Sequence, residues 1–380
     1  MDRKGKKQIG ILLVSDDIGV VYYLLSIVKA IGFLKEEDKP VIVLLYTDNC
    51  KKFLDLFKFD FVIYKEIEYH KNKKLKYLLS VFSGRNLFAQ SITKLHKLDY
   101  LFPLMDFPAG SNGLECKMVS WIPDFQHKFY PGFFSKKNLF FREARFKQII
   151  GKSDAVVLSS HDAHSHLKKF YKVNDEKIKV RIMPFVSIIQ DFVLTDFDTL
   201  KSKYNITTPY FLVSNQFYAH KNHIIVLKAI ANLKKLGLDF AVYFTGKTSD
   251  YRNPLFYESL TNYIAENKIE SHAKVLGVIP REDQLGLLKN SLAIIQPSKF
   301  EGWSTIIEDA KTLQKQIICS NIDVHIEQMG ENAFYFSPDS EDDLSKHITM
   351  FLLNKNTPKP VFNNYNERIE KFAKEFLNIF

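Results

Sequence analysis

The chain has few residues that could cross-link it or anchor it. Its 380 residues include three cysteines, Cys50, Cys116 and Cys319, which lie far apart and form no C-x-x-C pair. This spacing excludes a disulfide framework and a cysteine zinc cluster, and it favours a reducing compartment. No uncharged stretch approaches the roughly 18 residues of a membrane-spanning helix. The apolar run near the N-terminus stops at Ser15, too short for a signal peptide, so we expect a cytoplasmic protein.

The composition also lacks the biases of disordered, collagenous or low-complexity chains. Hydrophobic residues make up 46% of the chain and charged residues 25%, with 15 glycines and 13 prolines. There are two tryptophans against 33 phenylalanines and 18 tyrosines, and we assign most of these rings to hydrophobic cores. We find no internal repeat. A chain of this length and composition is expected to form a globular protein of two or three domains.

Acidic residues are scarce relative to basic ones in the first half of the chain. Residues 1–190 contain 32 lysines and arginines and 20 acidic residues, whereas residues 191–380 contain 21 and 23. This basic excess indicates that the first half faces something anionic. No zinc-finger, RNP-type or helix-turn-helix signature accompanies it, so nucleic acid is not an expected partner.

The densest basic segment spans residues 65–82 and mixes lysines with apolar side chains. Lysines stand at positions 71, 73, 74 and 76, beside Tyr77, Leu78, Leu79, Val81 and Phe82. This mixture suits a segment that lies on an anionic membrane leaflet. It suits a solvated helix with a buried apolar face equally well, and the sequence leaves both open.

Short apolar runs alternate with helix-length segments along most of the chain. Strands are predicted at residues 8–15, 41–47, 61–64, 118–122, 155–159, 210–217, 240–246, 274–279, 292–297, 316–320 and 333–336. Helices are predicted at residues 20–32, 220–236, 253–267, 282–290, 305–313, 341–353 and 366–380. Such alternation predicts parallel sheets that are covered by helices on both faces.

A break in this pattern falls near residues 187–208, which are more acidic and less periodic than their flanks. We therefore predict two doubly wound α/β domains, at residues 1–190 and 209–355. Residues 191–208 form the predicted linker, and residues 356–380 a C-terminal segment with an amphipathic helix. Ligands of such sheets bind at the carboxyl ends of the strands, so we expect the site in a cleft between facing domains.

The segment 296–320 carries the clearest local chemistry. A buried strand ends in the loop FEGWS, and a helix is predicted to start at Ser304 or Thr305. The free N–H groups and the positive end of this helix form a potential phosphate site, which the backbone at Gly302 can approach closely. Glu301 and Glu308 border it, and two acids beside a phosphate site indicate a sugar and a ribose. The alternative is a capped helix with a solvated acidic first turn.

Several motifs in a fixed order resemble the retaining glycosyltransferases of family 4, which have the GT-B fold. They are FEGWS with IIEDA, a following strand with D-x-H-x-E-Q (323–328), SNQFYAHKNH (214–223), GVIPREDQLGLLKNSLAIIQPS (277–298), WIPDFQHKFYPGFFS (121–135) and DAVVLSSHDAHSHL (154–167). The resemblance covers most of the chain and is weakest over residues 20–100. It implies two Rossmann-like domains, the first binding the acceptor and the second a nucleotide-sugar, with the C-terminal helix returning to the first.

The resemblance also implies roles for residues around the FEGWS loop. Glu301 would contact hydroxyls of the donor sugar, and Glu308 would hold the ribose diol. The distal phosphate would bind backbone amides of Gly302, Trp303, Ser304 and Thr305. The family usually has seven residues between its two acids, whereas six separate Glu301 and Glu308. Asp309, with seven between, is the alternative second acid.

In SNQFYAHKNH the family usually places an arginine and a lysine that clamp the diphosphate. Lys221 matches the lysine, at the start of a predicted helix. The arginine is absent, and Asn215 or Gln216 stands near its place, with His220 as a further donor-binding candidate. The nucleotide base is expected near residues 277–281, which include Gly277 and Val278.

On the acceptor side, many relatives have His-Asp where this chain has Pro123 and Asp124. We take Asp124 and His127 as the acceptor-side polar residues, because His127 could supply the imidazole that the histidine of the relatives provides. The alternative is a turn aspartate and a partly buried histidine. In this family the leaving phosphate takes the acceptor proton, so no classical nucleophile is needed.

No metal is expected to be required. Asp196 and Asp198 imitate a D-x-D metal motif, but they lie in the predicted linker rather than after a core strand. His161, His164 and His166 have no acid-rich cage around them in the sequence, so a surface or cleft position is favoured.

The resemblance implies an enzyme that moves a hexose-type unit from a nucleotide-diphosphate sugar to a saccharide or lipid-linked saccharide. The basic first half favours a lipid-linked acceptor and a peripheral position on the inner face of the cell membrane. Two alternatives remain open at this point. One is an epimerase or phosphorylase of the same fold; the other is a scaffold subunit without activity, which the missing arginine and the shortened acid spacing keep possible.

Overall fold

The protein is built from two units, each around its own parallel sheet. The computed structural model describes residues 6–68, 72–83, 85–105, 114–173, 178–250, 252–353, 360–362 and 364–380. Unit 1 comprises residues 1–188 and 366–380, and unit 2 comprises residues 189–365. The prediction of two parallel-sheet α/β domains is confirmed.

Unit 1 has a seven-stranded sheet in the order β3-β2-β1-β4-β5-β6-β7. Its strands are β1 Gln8–Leu13, β2 Val41–Tyr46, β3 Val62–Glu66, β4 Tyr100–Leu104, β5 Lys117–Ile122, β6 Ala155–Leu158 and β7 Lys179–Ile182. Its helices up to residue 188 are α1 Ile18–Gly32, α2 Lys73–Ser83, α3 Leu87–Leu95, α4 Gln126–Phe129, α5 Lys136–Lys152 and α6 His161–Phe170. β1 and β2 are buried almost throughout, as expected for parallel strands that are covered on both faces.

The sequence missed β4 and β7. β4 contains Pro103, which cannot donate to a ladder, and its pairing with β5 shifts register between Leu101 and Leu104. Proline is tolerated in strands at such irregular positions, which a pattern search treats as breaks. β7 (KVRI) alternates exposed and half-buried residues and therefore shows no apolar run.

Unit 2 has a six-stranded sheet in the order β10-β9-β8-β11-β12-β13. Its strands are β8 Tyr210–Ser214, β9 Ala241–Thr245, β10 Ala273–Gly277, β11 Ile294–Gln296, β12 Ile317–Ser320 and β13 Phe334–Phe336. Its helices are α7 Phe197–Tyr204, α8 His223–Lys235, α9 Phe256–Glu266, α10 Arg281–Asn290, α11 Thr305–Thr312, α12 Asp323–Met329 and α13 Glu341–Leu352. Successive residues of β8 point to opposite faces of the sheet. Phe211 belongs to the hydrophobic cluster on one face, and Leu212 belongs to the cluster on the other face. The sheet is thus covered on both faces.

The segment that the sequence assigns to a linker, 191–208, lies within unit 2 and contains α7. Asp196 caps this helix by accepting from the Thr199 amide at 2.9 Å, which accounts for the apparent D-x-D motif. Asp283 of α10 accepts from the Thr195 hydroxyl, the Lys203 ammonium and the Tyr204 hydroxyl. The segment is therefore fastened to α10.

The last helix, α14 Tyr365–Leu377, returns to unit 1 from residue 366 onward. Phe376 is fully buried, with its ring 5.4 Å from that of Phe102 in β4. Phe380 lies 4.6 Å from the ring of Tyr100. Among the described residues, no helix is both long enough and apolar enough to cross a membrane.

Candidate functional site

The candidate site in unit 2 lies where two central strands end. β8 and β11 are neighbours in the sheet, and the chain winds outward from them in opposite directions, toward β10 and toward β13. In open α/β sheets, ligands bind at this switch point, beyond the carboxyl ends of the strands. The two loops there are 215–222 after β8 and 297–304 after β11.

A lysine and a glutamate from these two loops form an ion pair. The Lys221 ammonium donates to both carboxylate oxygens of Glu301, at 2.6 Å and 2.8 Å. The side chains retain 18% and 9% of their exposure, so the pair is shielded but still reachable. The backbone joins the same loops, since the Lys299 amide donates to the His220 carbonyl at 2.8 Å.

Neutral donors complete the environment of the Glu301 carboxylate. Oε1 accepts from Gln296 Nε2 at 3.0 Å and from Ser298 Oγ at 2.7 Å. Burial raises the pKa of Glu301, but the Lys221 charge and hydrogen bonds outweigh it, so the pKa lies below its usual value. Glu301 is therefore ionised at neutral pH and held in one orientation.

The start of α11 has amide groups that its N-cap side chain does not use. Ser304 occupies the N-cap position without a capping hydrogen bond. Its hydroxyl instead accepts from Gln296 Nε2 at 2.7 Å. Gly302 and Trp303 are half-buried just before it, and Thr305 is exposed at the first helical position. The amides of the first turn and the helix dipole thus favour an anion beside the Lys221–Glu301 pair.

The two candidate second acids point to different parts of unit 2. Glu308 is 1% exposed, and its Oε1 accepts from Lys311 Nζ at 3.0 Å and from Gln328 Nε2 of α12 at 2.9 Å. Asp309 accepts from Arg281 Nη2 at 2.6 Å. Arg281 begins α10, directly after the loop that contains Gly277 and Val278. Asp309 therefore adjoins the predicted nucleotide loop, and Glu308 adjoins α12.

The loop after β8 holds the remaining predicted donor residues. Asn215 Nδ2 donates to Gln296 Oε1 and so fixes the amide that reaches Glu301. Gln216 is half-buried, and its carbonyl accepts from the Tyr218 amide at 2.8 Å. Burial, together with the Lys221 charge, lowers the pKa of His220 to about 3. His220 is thus neutral at pH 7 and adds no positive charge to the proposed clamp.

The loop after β10 leaves room for a ligand. Gly277 has φ +69°, and nothing lies within 4 Å of a Cβ built on it. Val278 is 76% exposed. Gly246, after the neighbouring strand β9, has φ +134° and its backbone approaches that of Asn215 so closely that a Cβ would clash. Glycine is needed there to bring the two strand ends together.

In unit 1, the two predicted acceptor-side residues differ in exposure. Asp124 is half-buried and accepts from the Gln126 amide at 2.8 Å, which closes a turn after β5. His127 is 4% exposed, and its Nε2 lies 3.3 Å from the Tyr171 hydroxyl, which donates to Glu143 at 2.8 Å. Burial and neighbouring cations lower the pKa of His127 to about 4. The expected accessible imidazole is therefore a buried, neutral one.

Sequence reasoning assigned no role to three residues that build the unit 2 site: Gln296, Ser298 and Gln328. Their roles depend on which strands are neighbours, which no local pattern shows.

Within the part of the chain that the structure describes, no group of three or more His, Cys, Asp or Glu side chains could hold a metal ion.

A family model described as Glycosyl transferases group 1 matches residues 196–375. This range is just under half of the chain, and it resembles the group 1 glycosyltransferases. The matched range contains every donor-side residue named above, and the match supports the predicted glycosyltransferase class. The chain is also 24% identical over 251 residues to the O-antigen chain mannosyltransferase RfbU of Salmonella typhimurium, covering 66% of this chain and 64% of that one.

Several solved structures share the fold over almost the whole chain. A glycosyltransferase from Rickettsia africae has a TM-score of 0.67 at 17% identity, over 99% of this chain and 94% of that one. Anabaena HepE, solved with UDP and glucose, has a TM-score of 0.66 at 14% identity, over 98% and 97%. The lipopolysaccharide outer core galactosyltransferase WaaB has a TM-score of 0.60 at 15% identity, over 98% of each. The predicted GT-B fold is confirmed.

Proposed function

We propose that the protein transfers a hexose-type sugar from a nucleotide-diphosphate sugar to a saccharide or lipid-linked saccharide, with retention of anomeric configuration. The observation that carries this proposal is the Lys221–Glu301 pair, which lies at the switch point of unit 2 beside the start of α11. An ionised acid, a cation and the first-turn amides of a helix in one shielded place suit the hydroxyls of a sugar and its diphosphate.

In this proposal Glu301 accepts hydrogen bonds from the donor sugar, while Lys221 and the first amides of α11 bind the diphosphate. The bond between the anomeric carbon and the diphosphate oxygen breaks, and a bond to the acceptor oxygen forms on the same face. The acceptor proton passes to the leaving phosphate oxygen. Lys221 and the α11 amides stabilise the charge that develops on the leaving group. No step requires a metal.

For the ribose diol we propose Asp309 rather than Glu308. Arg281 connects Asp309 to the loop 277–281, where the base is expected, whereas Lys311 and Gln328 hold Glu308 against α12. The carboxylate of Asp309 would accept hydrogen bonds from the ribose hydroxyls in addition to the one from Arg281.

The charge of the first half and the names of two similar proteins support a proposal for the acceptor and the cellular location. RfbU is named for O-antigen mannosyl transfer and WaaB for galactosyl transfer in the lipopolysaccharide outer core. We propose a related role in surface polysaccharide or glycolipid synthesis, on a lipid-linked acceptor, at the cytoplasmic face of the cell membrane. The basic excess of the first half supports this position.

A thermal-shift panel tests donor binding. UDP, GDP, ADP, CMP and dTDP are added to the wild-type protein and to Lys221→Ala, with and without magnesium. We expect one nucleoside diphosphate to stabilise the wild type without metal, by about 2.7 kcal/mol at 100 times its dissociation constant. Lys221→Ala should need a higher concentration for the same shift. If every nucleotide leaves both proteins unchanged, unit 2 is not a donor site.

A further inference from the structure

α2 presents its apolar side chains to solvent. Leu75, Leu78, Leu79 and Phe82 are 56%, 53%, 48% and 84% exposed. They occupy positions i, i+3, i+4 and i+7, which share one face of an α-helix at 3.6 residues per turn. We call these four residues the α2 apolar stripe.

The opposite, polar side of α2 is the side that packs against the unit. Ser80 is 1% exposed, and its hydroxyl accepts from the Leu87 amide at the start of α3, at 3.2 Å. The Lys76 ammonium lies 5.9 Å from the centre of the Phe88 ring. α2 thus exposes the four residues of the stripe while Ser80 is buried against the unit.

The neighbouring helix α3 buries its apolar side chains, as amphipathic helices of folded proteins usually do. Phe88, Ala89 and Ile92 are 2%, 1% and 5% exposed and belong to a hydrophobic core of unit 1. α2 and α3 follow each other in the chain and pack together, so the difference lies in the sequence of α2. A continuous outward apolar stripe on a folded protein marks a contact surface.

The charge around the stripe indicates what that contact is. α2 carries three lysines and no acidic residue, and residues 65–97 carry eight basic residues and two glutamates. An outward apolar face among lysines is the composition of helices that lie in the interface of an anionic bilayer. A second copy of this chain would bring two such lysine-rich segments together, which their repulsion opposes.

We propose that the α2 apolar stripe inserts into the interface of an anionic lipid bilayer. This locates the membrane contact of the proposed function on one helix of unit 1. The contact needs neither donor nor acceptor, so its test is independent of sugar transfer.

The test is co-sedimentation of the full-length protein with vesicles of phosphatidylcholine alone or with about one-third phosphatidylglycerol. The variant is Leu75→Ser/Leu79→Ser/Phe82→Ser. The matched control is Leu236→Ser/Leu255→Ser/Leu353→Ser, which removes three leucines of unit 2 that are 71%, 69% and 50% exposed. We expect the wild type and the control to bind anionic vesicles alike, and the α2 variant at least about tenfold more weakly. Circular dichroism and thermal unfolding without added nucleotide verify that each protein is folded.

A second readout places the helix in the lipid. Phe82→Trp, combined with Trp121→Phe and Trp303→Phe, leaves one fluorophore in the stripe. Its emission should shift to shorter wavelength and be quenched by brominated lipid when anionic vesicles are added. High salt should release the protein, because the lysines contribute to binding.

Three results would overturn the proposal. One is equal binding of the wild type and the α2 variant. Another is binding of the wild type to neutral vesicles as strongly as to anionic ones. The third is a wild-type oligomer that the α2 variant dissociates in analytical ultracentrifugation, which would make the stripe an interface between copies. Each result leaves the donor-binding experiment unaffected.

Discussion

The two units share one architecture and differ in where they put polar and apolar groups. Unit 1 contains 35 lysines and arginines against 23 acidic residues, whereas unit 2 contains 18 against 20. Unit 2 gathers its charges into a shielded network at the carboxyl ends of β8 and β11. Unit 1 has an outward apolar helix in a segment whose sequence is rich in lysine. Equivalent sheets thus support one surface suited to a small anionic ligand and another suited to a large anionic one.

The largest expected effect tests the core of unit 1. Phe376→Ala removes a fully buried ring that packs on Phe102, so unit 1 should lose about 3–5 kcal/mol of unfolding free energy. Trp121 in unit 1 and Trp303 in unit 2 allow the two to be followed separately by fluorescence, after replacement of the other tryptophan by phenylalanine. The urea midpoint that Trp121 reports should fall.

The matched variant is Phe351→Ala in α13, a ring that is 4% exposed in the core of unit 2. It should lower the midpoint that Trp303 reports. If Phe376→Ala leaves the Trp121 transition in place, α14 is not part of the unit 1 core.

The next effect concerns the charge network of unit 2. Glu301→Gln keeps the shape of the side chain but removes the charge that faces Lys221 and the donor sugar. We expect sugar transfer to fall by about 10²–10³, which is typical for loss of one stabilising group in the transition state. Binding of the protein to anionic vesicles should not change. Glu331→Gln, at an exposed acid of unit 2, is the control and should retain transfer.

Acid should destabilise unit 2 more than unit 1. Burial is the main cause that lowers the pKa of His220 and His223 to about 3 and of His325 to about 4, all in unit 2. In unit 1, burial lowers the pKa of His127 to about 4 and also lowers the pKa of His96. In the unfolded chain these histidines take up a proton near pH 6.5, whereas in the folded chain they do so only at lower pH, near pH 3–4 for all but His96. The free energy of unfolding is therefore unaffected above pH 6.5 and falls as the pH drops below it. Each histidine costs up to about 1.4 kcal/mol per pH unit.

Urea unfolding at pH 7.0 and pH 5.5 checks this prediction, with Trp303 and Trp121 as separate reporters. The Trp303 midpoint should fall by the larger amount. A larger fall at Trp121 would show that other groups govern the acid response.

The smallest effect distinguishes the two acids of α11. Asp309→Asn should weaken binding of the nucleoside diphosphate by about tenfold, since one charge-assisted hydrogen bond is lost. Glu308→Gln should change it less, because Glu308 is fastened to Lys311 and Gln328. Isothermal titration measures both. The opposite order would assign the ribose to Glu308.

Much of the fold could be predicted because parallel strands leave a plain signal. The apolar runs of β1, β2 and β8 are buried on both sides and stand out in the sequence. β4 could not be found, since Pro103 interrupts its run, and whether it is tolerated depends on the pairing with β5. The segment predicted as a linker contains α7. Its place in unit 2 could not be predicted, because its partner Asp283 lies about 80 residues away in the sequence.

The site was predictable in part. Glu301 and Lys221 stand out through the resemblance to known motifs, but their contact joins residues from two separate loops and appears only in the folded chain. Gln296 and Ser298 gave no signal, since a polar residue that ends a strand is common. For residues 65–82 the sequence left two interpretations open, and the structure shows which side of α2 packs, since Ser80 contacts the start of α3.

The central claim is that the Lys221–Glu301 pair of unit 2 holds a nucleotide-sugar for transfer. The most direct test needs no acceptor: release of nucleoside diphosphate from UDP- and GDP-hexoses in water, by the wild type and by Glu301→Gln. We predict slow release from one nucleotide class by the wild type, and a rate at least about 100-fold lower in the variant. Equal rates in the two proteins, or no release from any donor, would contradict the account.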